Sequence, residues 1–417
     1  MPLLLFLSKV RRDRARSDVG GAMSADEPVR MPPFTDGGAE ILEWMKGMRD
    51  DRPVWRDEHN RYFVFRYADV QAVFSDPARF SSNIGRLMPV FGAEKLSANL
   101  PWQDPPDHRR LRQLVSQAFT PKTVAGMRPR IGEVVGQLLA DAPGDEFDFV
   151  EQLAYPLPVI VIAELLGISP GDRAFFRRCA DRLLGIGAEK GESEQKVVEA
   201  IAEATKELDE YLLAEVRQRR AKGSTDDVLG ALAAAELNGE RLTDLQVATF
   251  AALLLNTGHI TTTLLLGNTL LCLDDNPDAE ARIRADRSLV PAALEEVVRR
   301  RPPFPRACRI ATTDVEIAGE VIPADAFVMP SILSANHDER QFEKPEQFDI
   351  QRDPNRHFGF GHGIHFCLGA PLARLETEIA LNRLMTEFTD LRISADPVFH
   401  PSEFYGVKEM TVSVRRA

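Results

Sequence analysis

Apolar residues in this chain recur mainly at the three-and-four spacing of helices, and only in short patches at the alternation of strands. Arg61–Tyr62–Phe63–Val64–Phe65 alternates and predicts part of a short strand pair, after which Tyr67–Ala68–Asp69–Val70 opens helical spacing. Residues 83–106 carry Gly85, Pro89, Gly92, Pro101, Pro105 and Pro106 and predict a long loop. Loops of that length inside compact domains are usually lids or binding loops. From Asp107 to about Lys222 the pattern is helical, broken at Pro121, Gly167–Pro170 and Gly185–Gly191. Residues 306–330 turn strand-like: Asp314–Val315–Glu316–Ile317 alternates, Gly319 turns, and Val321–Ile322 follows. The pattern predicts a mainly α protein with a small β region.

Leu245 to Leu273 contains no charged residue, so it reads either as a membrane span or as a long helix inside a soluble core. Thr243 and Gln246 have the spacing of a capping box, and Asn276–Pro277 stops the run. Its centre, Asn256–Thr257–Gly258–His259–Ile260–Thr261–Thr262–Thr263, is largely polar or small. Such groups are costly at the middle of a bilayer. A buried helix with polar groups facing a cavity is the better expectation, and no membrane partner is expected.

With 417 residues, 44% hydrophobic and 27% charged, the chain has material for a large core and a soluble surface. No linker, repeat or low-complexity block divides its middle, so residues 23–417 are expected to form a single domain. At the start, an apolar run from Leu3 to Leu7 precedes a basic stretch, the reverse of a signal peptide. Residues 1–22 are expected to be a disordered extension. The net charge of −12 argues against non-specific nucleic-acid binding, which needs basic patches. Cys179, Cys272, Cys308 and Cys367 lack a disulfide-framework spacing and read as reduced thiols in a cytoplasmic protein.

The strongest chemical signal is Phe360–Gly361–His362–Gly363–Ile364–His365–Phe366–Cys367–Leu368–Gly369. Its glycines let backbone fold tightly and approach a flat ligand. Such a loop would present the Cys367 sulfur with backbone N–H groups aimed at it, just before a helix starting at Ala370–Pro371. Three readings of the residues stay open: an ordinary buried cysteine, a zinc site from His357, His362, His365 and Cys367, and a haem iron bound by thiolate. Zinc ligands usually come in regularly spaced pairs on separate elements, which this cluster lacks.

The chain resembles the cytochrome P-450 family. Phe360, Gly363, Cys367 and Gly369 meet its Phe-x-x-Gly-x-x-x-Cys-x-Gly pattern, and Glu296–Val297–Val298–Arg299 is similar to its Glu-x-x-Arg helix. Gly258–His259–Ile260–Thr261–Thr262 is similar to its oxygen-binding helix, and Asp107–His108–Arg109–Arg110–Leu111–Arg112 to the helix that supplies haem-propionate ligands. The likeness runs from the strands near position 60 to the C-terminus. It implies the P-450 fold, a long central helix over a haem b, and Cys367 as iron ligand.

Haem carboxylates need cationic or hydrogen-bonding partners when buried. His108 and Arg112, four apart, share one helical face. The resemblance implies that Arg309 and His365 complete the clamp, that Phe360 belongs with the haem contacts, and that Gly258 leaves room for dioxygen. It gives Thr261 the catalytic role of helping to deliver protons. Glu296 and Arg299 are implied to be a buried brace with Arg352 as third partner. The departure is Ile260, where the family usually has an acid; an isoleucine cannot relay a proton.

The implied activity is hydroxylation or epoxidation of a small molecule, such as a polyketide intermediate, with dioxygen and electrons from a ferredoxin and its reductase. Arg109, Arg110 and Arg374 are candidates for that docking face. Substrate contacts are expected from Leu87, Met88, Val90 and Phe91, from helices around 170–205, and from Leu254, Pro303–Phe304 and Phe404–Tyr405. The rivals are a peroxide-driven or otherwise atypical haem reaction, suggested by Ile260, a haem sensor or carrier, and a zinc hydrolase.

Overall fold

The alternation at Arg61–Phe65 folds as strand β2 (Arg61–Val64), antiparallel to β1 (Val54–Arg56) with Trp55 opposite Phe63. Helix α1 (Tyr67–Ser75) follows at once, and β3 (Phe80–Ser81) closes the segment. Much later in the chain, β4 (Arg309–Ala311) and β5 (Phe327–Pro330) complete a five-stranded sheet of order β1-β2-β5-β4-β3. A second sheet joins Phe388–Ile393, Thr411–Arg416 and Glu146–Asp148. The computed structural model describes residues 30–87, 98–184, 194–223, 226–400 and 404–417. The expected 1–22 extension, the contacts from Met88, Val90 and Phe91, and the Gly185–Gly191 break lie outside them.

Helices make the bulk of the molecule. Those that position the site are α2 (Asp107–Ala118), α3 (Pro156–Leu165), α4 (Arg173–Leu184), α5 (Glu194–Lys222), α6 (Asp244–Asp274), α7 (Val290–Arg300) and α8 (Ala370–Glu387). The uncharged run is α6. Thr243 accepts from the Gln246 N–H and the Gln246 side chain accepts from the Thr243 N–H, so the expected capping box is present. That satisfies two donors that a helix start would otherwise leave orphaned.

Among the described residues α6 is the one helix long and apolar enough to cross a membrane, but 67% of its apolar window is buried by protein. Helices α3, α5, α7 and α8 pack around it. Leu255, Leu264, Leu265, Leu266 and Leu273 are each at most 4% exposed. Full burial of one such side chain is worth about 1.5–3 kcal/mol, so the absence of charge follows from packing.

A buried ion network ties α7 to the segment that leads into the cysteine loop. Glu296 and Arg299 have no exposed surface and pair twice, at 2.7 and 2.8 Å. Arg352 is the expected third partner, at 3.1 Å from both Glu296 oxygens, and Asn355 adds a further donor. Arg299 also donates to the Asn336 and Pro345 carbonyls. Asn336 in turn accepts from the Phe358 N–H at 2.8 Å. The brace therefore holds residue 358, three residues before the first glycine of the loop.

Candidate active site

The loop Phe360–Gly369 closes on itself. The Cys367 N–H donates to the Phe360 carbonyl at 2.8 Å, and the Phe366 N–H to the Gly363 carbonyl at 3.1 Å. Gly361 and Gly363 have φ of 75° and 66°, in the left-handed region that side-chain-bearing residues avoid. A Cβ on Gly363 would also come within 3.0 Å of the Phe74 carbonyl. Gly369 and Ala370, at the start of α8, direct their N–H groups to the Cys367 sulfur. Burial pushes the thiol pKa up, while those two donors, Arg112 and Arg374 oppose the rise. Cys367 nevertheless keeps accessible surface. A side chain on the wall of an internal cleft has both properties.

Four basic groups meet beside this loop. The rings of His108 (α2) and His365 lie 4.3 Å apart between centroids. Arg112, one turn after His108, donates to the Phe366 carbonyl at 2.8 Å, and Arg309 on β4 donates to the Cys308 carbonyl at 2.8 Å. Burial, then Arg309, His108 and Arg112, pushes the His365 pKa down to about 3. His108 is lowered by burial and by Arg112 and Arg309, with Asp104 opposing. Asp104 itself bonds Ser81 and the Ser82 N–H. Buried His108 Nε2 has no hydrogen-bond partner. The cluster thus repels its own positive charge and holds an orphaned buried nitrogen, and a pair of buried carboxylates would relieve both. This donor set fits the acidic groups of a haem. Phe360 lies under Arg374, whose guanidinium sits 4.3 Å from the ring centroid.

The middle of α6 bears a strip of accessible residues within an otherwise buried helix. Leu254 and Thr261 are half-buried and Thr257 is exposed, whereas Leu255, His259, Ile260 and Thr262 are buried. The Thr261 hydroxyl donates to the Thr257 carbonyl at 2.7 Å, and the Thr257 hydroxyl to that of Leu253 at 2.7 Å. A Cβ on Gly258 would meet Ile162 Cδ1 at 2.2 Å, so its bareness admits α3. The accessible residue one turn before Thr261 is Thr257, which sequence reasoning missed. Its spacing from Thr261 was the available signal. Ile260 is 4% exposed and belongs to the core.

Other expectations are redistributed. Arg374 is paired with Glu295 at 2.7 and 2.8 Å, and Arg110 with Glu240 at 3.1 Å, so neither offers an unopposed charge. Tyr405 is 1% exposed and donates to the Gly37 carbonyl, which makes it core and no cleft wall. Phe304 is 37% exposed and touches the Phe404 ring at 5.6 Å. The histidines of the zinc reading disperse: His357 faces Glu295, His362 packs on Phe358, and His365 meets Ser82. Among the described residues no group of three His, Cys, Asp or Glu side chains is placed to hold a metal ion.

Comparison with known proteins extends these observations. Residues 193–398 match the family described as Cytochrome P450. The chain is 44% identical over 368 residues to cyclomarin C epoxidase CymV of Salinispora arenicola, covering 87% of this chain and 92% of that one. It is 43% identical over 358 residues to erythromycin C-12 hydroxylase of Saccharopolyspora erythraea, covering 85% and 89%. The solved structure of the open cytochrome P450 EryK from S. erythraea superposes with a TM-score of 0.87 at 40% identity, covering 93% of this chain and 98% of that one. Likeness at this level, over almost the full length of each relative, extends to fold and chemistry together: the chain belongs to the cytochrome P450 family and is a haem-dependent monooxygenase.

Proposed function

We propose that Cys367 is the iron ligand of a haem b whose carboxylates are held by His108, Arg112, Arg309 and His365, with Phe360 among the haem contacts. Residues 23–417 act as one catalytic domain in the cytoplasm. The substrate is a small secondary metabolite, such as a polyketide intermediate, which is hydroxylated or epoxidised. The named activities of the epoxidase and hydroxylase relatives support that class. The observation that carries the reading is a single juxtaposition: a sulfur met by two backbone N–H groups, next to four basic side chains near which Asp104 is the one carboxylate felt among the described residues.

When bound, haem supplies the activation of dioxygen, one atom of which enters the substrate while the other leaves as water. The protein does the rest. Gly369 and Ala370 place N–H groups at the sulfur, which favours its anionic form and tunes the metal. Arg112 reaches both the clamp and the backbone of Phe366, so haem seating and loop position are coupled. Thr261 has already given its hydroxyl proton to the helix, which leaves its oxygen free to accept hydrogen bonds on the cleft side. Leu254 offers apolar contact to a substrate.

Electrons come from a ferredoxin and its reductase. A cleft of about 490 Å³ lined by Pro105, His108, Arg109, Arg112, Gly363 and Ile364 opens beside the cysteine loop and supports docking there. The test is turnover of purified holoenzyme on erythromycin and cyclomarin intermediates, with ferredoxin, reductase and oxygen in one arm and peroxide alone in the other. Oxygenated product in the first arm is expected. Product only with peroxide would establish the alternative reaction that Ile260 suggests, and no product in either arm with any compound would overturn the enzymatic reading.

A further inference from the structure

Splitting dioxygen consumes protons, and the family's usual acid is replaced here by Ile260, buried in the core. Two hydroxyls remain on the accessible strip of α6, Thr257 and Thr261, one helical turn apart. Each has its single proton committed, to the Leu253 and Thr257 carbonyls at 2.7 Å. A hydroxyl has one donor and two lone pairs, so both oxygens are left to act as acceptors on their accessible side. Side chains at this spacing lie about 5–6 Å apart at Cβ, a span that ordered water can bridge. Gly258, between them in sequence, is filled by Ile162 and adds no space there.

We propose that Thr257 is a positioning residue for proton delivery, anchoring a water beside Thr261 in place of the missing acid. This rests on the monooxygenase reading above. A water that gives one hydrogen to Thr257 Oγ1 keeps its other hydrogen for the oxygen being reduced. Its lone pairs accept a replacement proton from further water, so proton and charge are conserved at each transfer. The electrons are those the redox partner supplies. A threonine cannot act as an acid at neutral pH, so the hydroxyl sets the position of the water and the solvent provides the proton.

The test compares parent, Thr257→Val and Thr257→Ser holoenzymes. Valine keeps the shape and removes the hydroxyl; serine restores it. The expected results are an ordered water within hydrogen-bond distance of Thr257 Oγ1 in a high-resolution crystal structure of the parent, and its loss in the valine variant. Product per electron consumed should fall by roughly tenfold or more in the valine variant, with released peroxide rising, since proton-handling groups are worth at least that much. The solvent isotope effect should grow, and serine should recover both. Unchanged coupling and isotope effect in Thr257→Val, or no ordered water at Thr257 in the parent, would overturn the proposal. The reduced carbon-monoxide spectrum of the parent separates this failure from failure of the haem reading itself.

Discussion

His259 has no exposed surface, its ring lies edge-on to Tyr155 at 4.4 Å between centroids, and neither ring nitrogen has a hydrogen-bond partner. Burial, helped by Arg177, pushes its pKa down to about 3, whereas an imidazole in an unfolded chain titrates near 6.5. Between those values unfolding takes up a proton that the folded state refuses, so this residue lowers stability as pH falls through that window. Replacing it with an apolar ring removes both the uptake and the unpaired nitrogens. In His259→Phe the urea midpoint should therefore change less with pH between about 6 and 4 than in the parent; equal slopes would contradict the assignment. At this scale the sequence was uneven. Cys367, His108 and Arg112 stand out because short spacings place them, while Arg309 and His365 needed the family resemblance. Thr257 stayed hidden because an uncharged helix gives no sign of which of its faces stays accessible.

The element that transmits order to the cysteine loop is α7. Its Glu296 carboxylate serves Arg299, Arg352, Asn355 and the Asp349 N–H without access to water. Removing that charge leaves two guanidinium groups unpaired, one of them wholly buried. Breaking one member of such a network typically costs about 3–5 kcal/mol. Glu296→Gln should lose stability on that scale in denaturant unfolding, and a loss under about 1 kcal/mol would show the brace to be dispensable. Element identity was legible where periodicity was strong: the capped α6 and the strands at 315–322 formed, and the run after Asp107 is helical except where Glu146–Asp148 joins the second sheet as a strand. Strand partnership was not legible. Arg61 pairs with Phe327 in parallel register, and nothing in either local pattern names so distant a partner.

As a whole the molecule is acidic, with a net charge of −12, so an acidic electron donor needs a local basic site to approach. In the proposed docking beside the cysteine loop Arg109 supplies the positive charge, since Arg110 and Arg374 are engaged by carboxylates and Arg112 is assigned to the haem. Raising salt from about 10 mM to about 1 M shortens the Debye length from about 30 Å to about 3 Å. Reduction by a ferredoxin should slow markedly across that range, and a salt-independent rate would remove the electrostatic docking account. All of these roles presuppose sulfur bound to haem iron at position 367. The most direct test is the absorption spectrum of the purified holoprotein, reduced and exposed to carbon monoxide, for the parent and for Cys367→His. The parent should show the strongly red-shifted Soret band of a thiolate-ligated haem, and the variant should lose it. A parent without that band, or a variant that keeps it, would contradict the account.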